Sequence, residues 1–234
     1  TNNVTISGNQ TSGTITKTGA GTFYCYYNIG GPTGGTETIT NNNFSNITAT
    51  SGSSALYGIY SSTGTAQNRV CSGNTISNFT HSGTGLIYPL YVLSTTSNQI
   101  SGNTVHSITG GGTVYGLYFS GTNPSVYNNI VYGLTTSGST LAGIWNAGTG
   151  TVNCYNNRVY NVNSTNSAPT VSGILISTGT SNYNYNNFIS DIKATAAGSD
   201  NSVRGINITS STTNSTIGIY YNTIFLNGTS SGTN

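Results

Sequence analysis

Apolar and polar positions repeat along the chain at intervals of 26 to 35 residues. Each repeat contains an asparagine, an apolar residue two positions later and a second apolar residue five positions later. The asparagines are Asn9, Asn42, Asn74, Asn103, Asn129, Asn157, Asn187 and Asn222. Variable loops separate these anchors, whereas the apolar positions around them keep their spacing. This combination predicts stacked structural repeats whose insertions are confined to the corners.

Three apolar columns accompany the anchors. Two positions after the asparagine, from the second repeat onward, stand Phe44, Ile76, Val105, Val131, Val159, Ile189 and Ile224. Five positions after it stand Ile47, Phe79, Ile108, Leu134, Val162 and Ile192, and Asn227 breaks the column. Three positions before it stand Ile6, Ile39, Cys71, Ile100, Val126, Cys154 and Ile219, with Asn184 as the exception. Short apolar runs between Ser, Thr, Gly and Asn loops predict strands.

A second motif, apolar-x-Gly-apolar, lies between the anchors, as in Leu56–Tyr60 and Val114–Tyr118. Together with the Asn-x-apolar step, it resembles the right-handed parallel β-helix, the pectin-lyase-like architecture built from parallel-β-helix repeats and found in large secreted bacterial surface proteins. The resemblance covers nearly all of the chain. It implies an all-β solenoid of about seven to eight coils. This architecture carries lyases, hydrolases, tailspikes, adhesins and inert stalks, so it does not identify a function.

Stacking gives the asparagine column a structural role. Parallel strands lie about 4.8 Å apart, so each anchor falls above the next. We therefore predict a buried Asn ladder, in which each amide donates to one neighbouring coil and accepts from the other. Asparagine also tolerates left-handed backbone, which predicts that the anchors form the bend between two sheets. The alternative role for these side chains is to supply ligand or metal oxygens.

The repeats predict one β-helix domain over residues 1–234. Residues 1–41 form irregular first coils, 42–208 the regular coils and 209–234 the last coil. Neither end shows a helix or a charged cap, and unprotected edge strands promote association with another chain. We therefore expect a fragment or protomer of a longer repeat protein or fibre. Its expected partners are copies of itself or neighbouring repeats, with glycans as a further candidate.

Charge excludes some partners. Asp, Glu, Lys and Arg make up 3% of the chain and the formal net charge is +2, so no basic patch exists for nucleic acid. No apolar run reaches the length of a membrane span. The chain has no methionine and no signal-like start, which predicts a mature or excised chain. Its polar, uncharged composition favours a secreted protein at the cell surface or outside the cell.

Candidate catalytic groups are few. The acidic residues are Glu37, Asp191 and Asp200. A glycosidase needs two carboxylates about 5 to 10 Å apart, and only Asp191 with Asp200 is a conceivable pair. Arg158 could point toward Asp191 from one coil away. We interpret the charges as isolated residues on solvated corners, and predict no enzyme, no cofactor and no metal.

The histidines and the cysteines are also predicted not to form pairs. His106 is predicted on an outward position and His81 in a loop, so they do not form a metal pair. Cys71 and Cys154 share a column three coils apart, about 14 Å by strand spacing. A disulfide requires Cα atoms within roughly 7 Å. These residues and Cys25 are therefore predicted to be reduced, buried thiols.

Aromatic residues are the most informative surface feature. Those predicted to point outward beside the glycine strand are Tyr57, Tyr60, Tyr88, Tyr91, Tyr115, Tyr118 and Trp145. A second set comprises Tyr127, Tyr155, Tyr185 and Tyr220, with Tyr132, Tyr160 and Phe225 after the anchors. Stacked rings can simply stabilise a sheet. Alternatively, they form an adhesive face for glycans or neighbouring rods.

Three functions follow from these features. The first is a structural, adhesive segment of an extracellular bacterial surface or fibre protein. The second is a carbohydrate-binding or polysaccharide-degrading β-helix protein, supported by the aromatic residues and the architecture. The third is ice binding, which needs a regular threonine array. Positions one and three after the anchor read Thr104 and His106 in one coil and Ile130 and Tyr132 in the next, so ice binding ranks last.

Overall fold

The chain folds into a parallel β-solenoid of about seven turns, as the repeat predicts. The computed structural model describes residues 3–30, 34–50, 52–62 and 68–226. Each full coil contributes one strand to each of three parallel sheets. Parts of the predicted irregular first coils, at residues 31–33, and of the last coil, at residues 227–234, lie outside the described residues.

The strands are numbered β1 to β23 in chain order, so neighbours within a sheet differ by three. Sheet 1 contains β1 Val4–Ser7, β4 Thr36–Thr40, β7 Asn68–Ser72, β10 Asn98–Ser101, β13 Ser125–Tyr127, β16 Thr151–Tyr155, β19 Ser181–Tyr185 and β22 Thr216–Tyr220. Sheet 2 contains β2 Ile15–Lys17, β5 Asn43–Ala49, β8 Thr75–His81, β11 Thr104–Gly110, β14 Ile130–Thr136, β17 Arg158–Ser164, β20 Phe188–Ala194 and β23 Thr223–Phe225. Sheet 3 contains β3 Phe23–Asn28, β6 Leu56–Ser62, β9 Ile87–Leu93, β12 Val114–Thr122, β15 Thr140–Thr149, β18 Thr170–Ile176 and β21 Val203–Ile208.

The predicted apolar columns form the core. Ile39, Cys71 and Ile100 pair in register in sheet 1, and all three are fully buried. Sheet 2 contributes the columns that follow each anchor, and sheet 3 contributes the residues on both sides of its glycine. One coil alone could bury almost none of these side chains. Stacking joins them into one continuous interior, which is the main source of stability in this fold.

The predicted Asn ladder is present from Asn9 to Asn222. Each anchor's side-chain oxygen accepts two hydrogen bonds from the preceding anchor. The backbone N–H and the Nδ2 amide donate these bonds, over 2.9 to 3.0 Å. The amide's other hydrogen reaches back one coil. In Asn129, for example, it is donated to the Ile100 carbonyl over 3.0 Å. The six inner anchors are buried, so the ladder satisfies groups that water cannot reach.

The anchors do not themselves form the bend, and that prediction is wrong. The residue before each anchor is left-handed instead, as in Asn41 (φ 56°), Gly73 (φ 65°) and Asn128 (φ 56°). The anchor must point inward with its N–H aligned to the ladder, so its neighbour takes the strained backbone. A second left-handed column follows four positions after the anchor, at residues such as Asn46 and Asn78. It divides each long strand of sheet 2 into two straight segments.

The glycine column of sheet 3 results from close approach rather than from backbone conformation. A Cβ built on Gly143 would lie 2.3 Å from Val159 Cγ1 and 2.8 Å from the Gly173 carbonyl oxygen. At this column the chain passes directly over the apolar residues of sheet 2. Any larger residue would therefore separate the two sheets or the two coils.

The cysteines match the prediction of free thiols. Cys71 and Cys154 are buried and Cys25 is half-buried, and none forms a disulfide. Burial raises the pKa of Cys154 to about 12, so the thiol stays protonated and unreactive. Within the described part of the chain, no helix is long and apolar enough to cross a membrane.

Candidate functional site

The aromatic residues beside the glycine strand form two ring columns on the outer side of sheet 3. We call them together the aromatic face. The first column is Tyr24, Tyr57, Tyr88 and Tyr115, and the second is Tyr27, Tyr60, Tyr91, Tyr118 and Trp145. Tyr24 and Tyr27 were not among the predicted site residues. They belong to it because β3 pairs in register with β6, placing them over Tyr57 and Tyr60.

Rings stack within each column and cross between columns. Tyr57 and Tyr88 are nearly parallel at 3°, with centroids 5.3 Å apart, and Tyr60 and Tyr91 are parallel within 4° at 4.8 Å. Between columns, Tyr57 meets Tyr60 at 85° and Tyr88 meets Tyr91 at 89°. Parallel rings along a column and perpendicular rings across it make a herringbone, which combines the two favoured aromatic geometries.

The rings of the aromatic face largely cover each other. Tyr88, near its centre, is only 9% exposed although it points away from the core. At its edge, Tyr27 is 49% exposed. Burial raises the pKa of Tyr57 to about 12, and the neighbouring phenols Tyr24 and Tyr60 add to the shift. The aromatic face is therefore a packed second layer on the sheet, with edges and parts of its rings open to solvent.

The aromatic face ends at Trp145. In the next coils its two columns continue as Ser172 and Leu175, which carry no ring. Trp145 tilts toward Tyr115 with ring centroids 4.5 Å apart, and its Nε1 donates a hydrogen bond to Ser177 Oγ over 2.8 Å. This side chain thus closes the ladder over Ala142, the residue that interrupts the first column.

The other aromatic residues form two shorter ladders. On sheet 1, the rings of Tyr127, Tyr155 and Tyr185 stack with centroids 4.9 to 5.0 Å apart. Tyr220 continues that register and is exposed. On sheet 2, the members of the ladder are His106, Tyr132 and Tyr160, stacked at 4.9 to 5.0 Å. Phe225 lies farther along this column and is exposed.

Two charged residues lie inside the solenoid, so the interpretation that all charges occupy solvated corners is wrong. Arg69 Nε is 2.9 Å from Glu37 Oε2, and both side chains are fully buried. The carboxylate also accepts hydrogen bonds from Tyr26 Oη, Asn28 Nδ2 and Ser61 Oγ over 2.6 to 2.8 Å. Burial lowers the pKa of Arg69, and the adjacent carboxylate opposes that shift. The network replaces apolar contacts in the corner between sheets 3 and 1.

The remaining charges are peripheral and do not converge. Asp191 pairs with Lys193 in the same strand over 2.6 Å, and both are partly exposed. Arg158 does not pair with Asp191 as expected. Its guanidinium lies 5.8 Å from the ring centroids of Tyr160 and Phe188. Between those rings it gains cation–π contact that a mobile surface ion pair would not provide.

His81 is buried rather than placed in a solvated loop, so that prediction is wrong. It is the last residue of β8, its side chain points inward, and Nε2 lies 2.7 Å from the Ser54 carbonyl oxygen. The Gly83 N–H donates to Nδ1 over 3.0 Å. Nδ1 is therefore the acceptor and Nε2 carries the proton. His81 fastens a loop, and the half-buried His106 lies in a separate ring ladder.

A pocket of about 360 Å³ lies on sheet 1 beside the corner loops. Its lining consists mostly of amides and hydroxyls, together with the buried Arg69, and includes Asn68, Ser97, Gln99, Asn123 and Ser125. In the described ranges, no group of three or more His, Cys, Asp or Glu side chains could hold a metal ion. No protein family, curated protein or solved structure matches this chain.

Proposed function

We propose that the chain is a structural, adhesive β-solenoid segment of an extracellular bacterial surface or fibre-forming protein, and that it self-associates. The observation that carries this proposal is the aromatic face, which runs unbroken across five coils from β3 to β15. Aromatic residues are enriched at protein interfaces because rigid rings provide contact area at low entropic cost. A second copy presents the same columns at the same spacing, so the two aromatic faces can pack laterally.

The last described coil supports contact with a further coil. Ile219 and Ile224 occupy columns that are buried throughout the inner coils, yet they are 38% and 45% exposed. A second copy of the chain, packed end to end, would cover them. Such end contacts would add to lateral packing, because parallel edge strands pair readily through their backbone groups.

Sedimentation analysis across a concentration series tests lateral association. We expect the wild type to form dimers or larger species and the variant Tyr60→Thr/Tyr91→Thr/Tyr118→Thr to remain monomeric. The matched control, Tyr127→Thr/Tyr155→Thr/Tyr185→Thr, removes an equal stack of rings from sheet 1 and should associate like the wild type. Circular dichroism confirms that both variants are folded. A wild type that stays monomeric at every concentration contradicts the proposal.

Carbohydrate binding is the second candidate, and the pocket on sheet 1, lined mostly by amides and hydroxyls, favours it. Amides and hydroxyls such as those of Asn68, Gln99 and Asn123 are suitable partners for sugar hydroxyls. Calorimetric titration with a panel of soluble oligosaccharides tests it, and Gln99→Ala should abolish any binding that uses this pocket. We propose no hydrolase or lyase activity. Release of sugars from a polymer panel, lost in Asp191→Ala, would contradict that view.

A further inference from the structure

Sheet 2 carries a two-dimensional hydroxyl array on its outer side, beyond the second left-handed bend. The first column lies six positions after the anchors in the inner coils. Its members, paired in register, are Thr16, Thr48, Thr80, Thr109 and Thr135. It continues as Asn163 and Lys193, so the regular part spans five coils. The ice-binding hypothesis was ranked last on columns one and three, which lie before the bend.

A second column runs parallel to the first, two residues farther along each coil. Its members are Thr18, Thr50, Ser82, Gly111, Ser137, Thr165 and Thr195. From Thr50 onward, each backbone N–H donates to the coil before it over 2.7 to 3.2 Å, so the column stays in register past the assigned strand ends. Alternate residues on one strand lie roughly 7 Å apart, and coils about 4.8 Å apart. The hydroxyls therefore mark a nearly rectangular grid with one gap, at Gly111. Within the second column, Ser82 Oγ donates to the Thr50 carbonyl and Ser137 Oγ to the Gly111 carbonyl.

The array is held rigid from inside. From Ala49 to Ala194, the residues between the two columns point inward and are buried, and their polar side chains bond to adjacent loops. Thr136 Oγ1 donates to the Gly110 carbonyl over 3.1 Å, and Ser164 Oγ donates to the Gly138 carbonyl over 3.1 Å. His81 has the same role one coil earlier than Gly110. Side-chain ladders of this kind keep a sheet flat over many strands.

The outward groups are available to a ligand. Thr16, Thr80 and Thr109 are exposed, and Thr48 and Thr135 are half-buried. Among the described residues, no hydrogen bond joins the hydroxyls of this first column to the protein. The grid carries no charge between Thr48 and Thr135. Its chemistry is a regular alternation of methyl groups, which order adjacent water, and hydroxyls, which bond to it.

We propose that this array binds the surface of ice. A rigid, uncharged grid of threonine and serine side chains, repeating at two fixed spacings, can hold water molecules in a lattice-like order that merges with a growing crystal. A soluble macromolecule would need pockets or charges for specific recognition, and the grid has neither. The lattice needs only regular spacing, flatness and hydrogen-bonding groups. This function uses sheet 2 and does not depend on the aromatic face of sheet 3.

The test compares ice-recrystallisation inhibition and crystal shaping by the full chain and two double variants. Thr80→Tyr/Thr109→Tyr places bulky rings in the centre of the grid. The control, Ser72→Tyr/Ser101→Tyr, adds the same rings to sheet 1, where Ser101 already pairs in register with Tyr127. We expect the wild type and the control to inhibit recrystallisation equally. The grid variant should require a roughly tenfold or higher concentration, at an unchanged melting temperature.

Three results would overturn the proposal. A folded wild type that is inert toward ice at every soluble concentration contradicts it directly. Equal loss in the grid variant and the sheet 1 control would show that the effect is not specific to the grid. Binding to crystalline chitin or cellulose that is lost in the grid variant, without ice activity in the wild type, would assign the grid to crystalline polysaccharide instead.

Discussion

At the scale of single residues, the anchor asparagines matter because each one supplies hydrogen-bond partners to the anchors of the two neighbouring coils. Asn129 Oδ1 accepts hydrogen bonds from the backbone N–H and the side-chain amide of Asn103. Its own Nδ2 donates to Asn157 Oδ1 and to the Ile100 carbonyl. Apolar residues could fill the same volume. They could not satisfy these groups, which no water reaches, and a buried polar group without a partner is costly.

Replacing one anchor should therefore lower the stability of the fold. We expect Asn129→Leu to lower the free energy of unfolding by about 1 to 3 kcal/mol, because it leaves buried groups of Asn103 and Asn157 without partners. The control Asn153→Leu changes an outward asparagine of sheet 1 and should shift stability by less than about 0.5 kcal/mol. Denaturant titration measures both. Equal stability of the two variants would refute the role of the ladder.

The buried Glu37–Arg69 pair should show strong coupling. Arg69→Leu alone leaves a buried carboxylate without its cation and should cost about 3 to 5 kcal/mol. The double variant Glu37→Leu/Arg69→Leu removes both charges and should be more stable than the sum of the single losses predicts. A double-mutant cycle by chemical denaturation measures the coupling. Strictly additive losses would mean that the two side chains act independently.

At the scale of strands and sheets, repetition determines what the sequence reveals. The Asn and apolar columns are predictable because every coil repeats them. Glu37 and Arg69 are not, since each occurs once in its column and the pair joins residues 32 positions apart. The hydroxyl grid cannot be predicted from the sequence for another reason. Its columns lie beyond a left-handed bend at residues such as Asn78, and inward and outward positions cannot be assigned there before the bend is known.

The glycine column of sheet 3 gives an element-scale prediction. Gly143→Ala places a methyl group against Val159 and the Gly173 carbonyl, and overpacking of this kind costs about 1 to 3 kcal/mol. Gly198→Ala is the control, because a Cβ there meets nothing within 4 Å. Thermal unfolding of both variants compares them. A stable Gly143→Ala protein would show that the sheets are not in the tight contact described.

The aromatic face predicts sensitivity to high pH. The pKa of Tyr57 rises from 10.0 to about 12, mainly through burial. The unfolded chain therefore ionises first, so stability is fully present below pH 10.0 and falls as the pH approaches 12. Phenolate absorbance, followed with unfolding, measures this. Titration of every tyrosine at the ordinary pKa in the folded protein would contradict the packing of the aromatic face.

At the scale of the whole molecule, one scaffold presents three different outer faces. Sheet 3 carries the aromatic face, sheet 2 the hydroxyl grid, and sheet 1 a tyrosine ladder and the pocket. The interior is fully used for stacking, through the apolar columns and the Asn ladder. Function is therefore assigned to repeating surfaces rather than to a single cleft, and each proposed activity can be removed without altering the others.

Every proposed surface depends on coils held in fixed register, and side-chain amide exchange tests this most directly. In protein labelled with ¹⁵N at asparagine, the amides of Asn74, Asn103, Asn129 and Asn157 should exchange only on global unfolding. Outward amides such as Asn161 should exchange rapidly under the same conditions. If the anchors exchange as fast as Asn161, the ladder is absent in solution and the solenoid described here is contradicted.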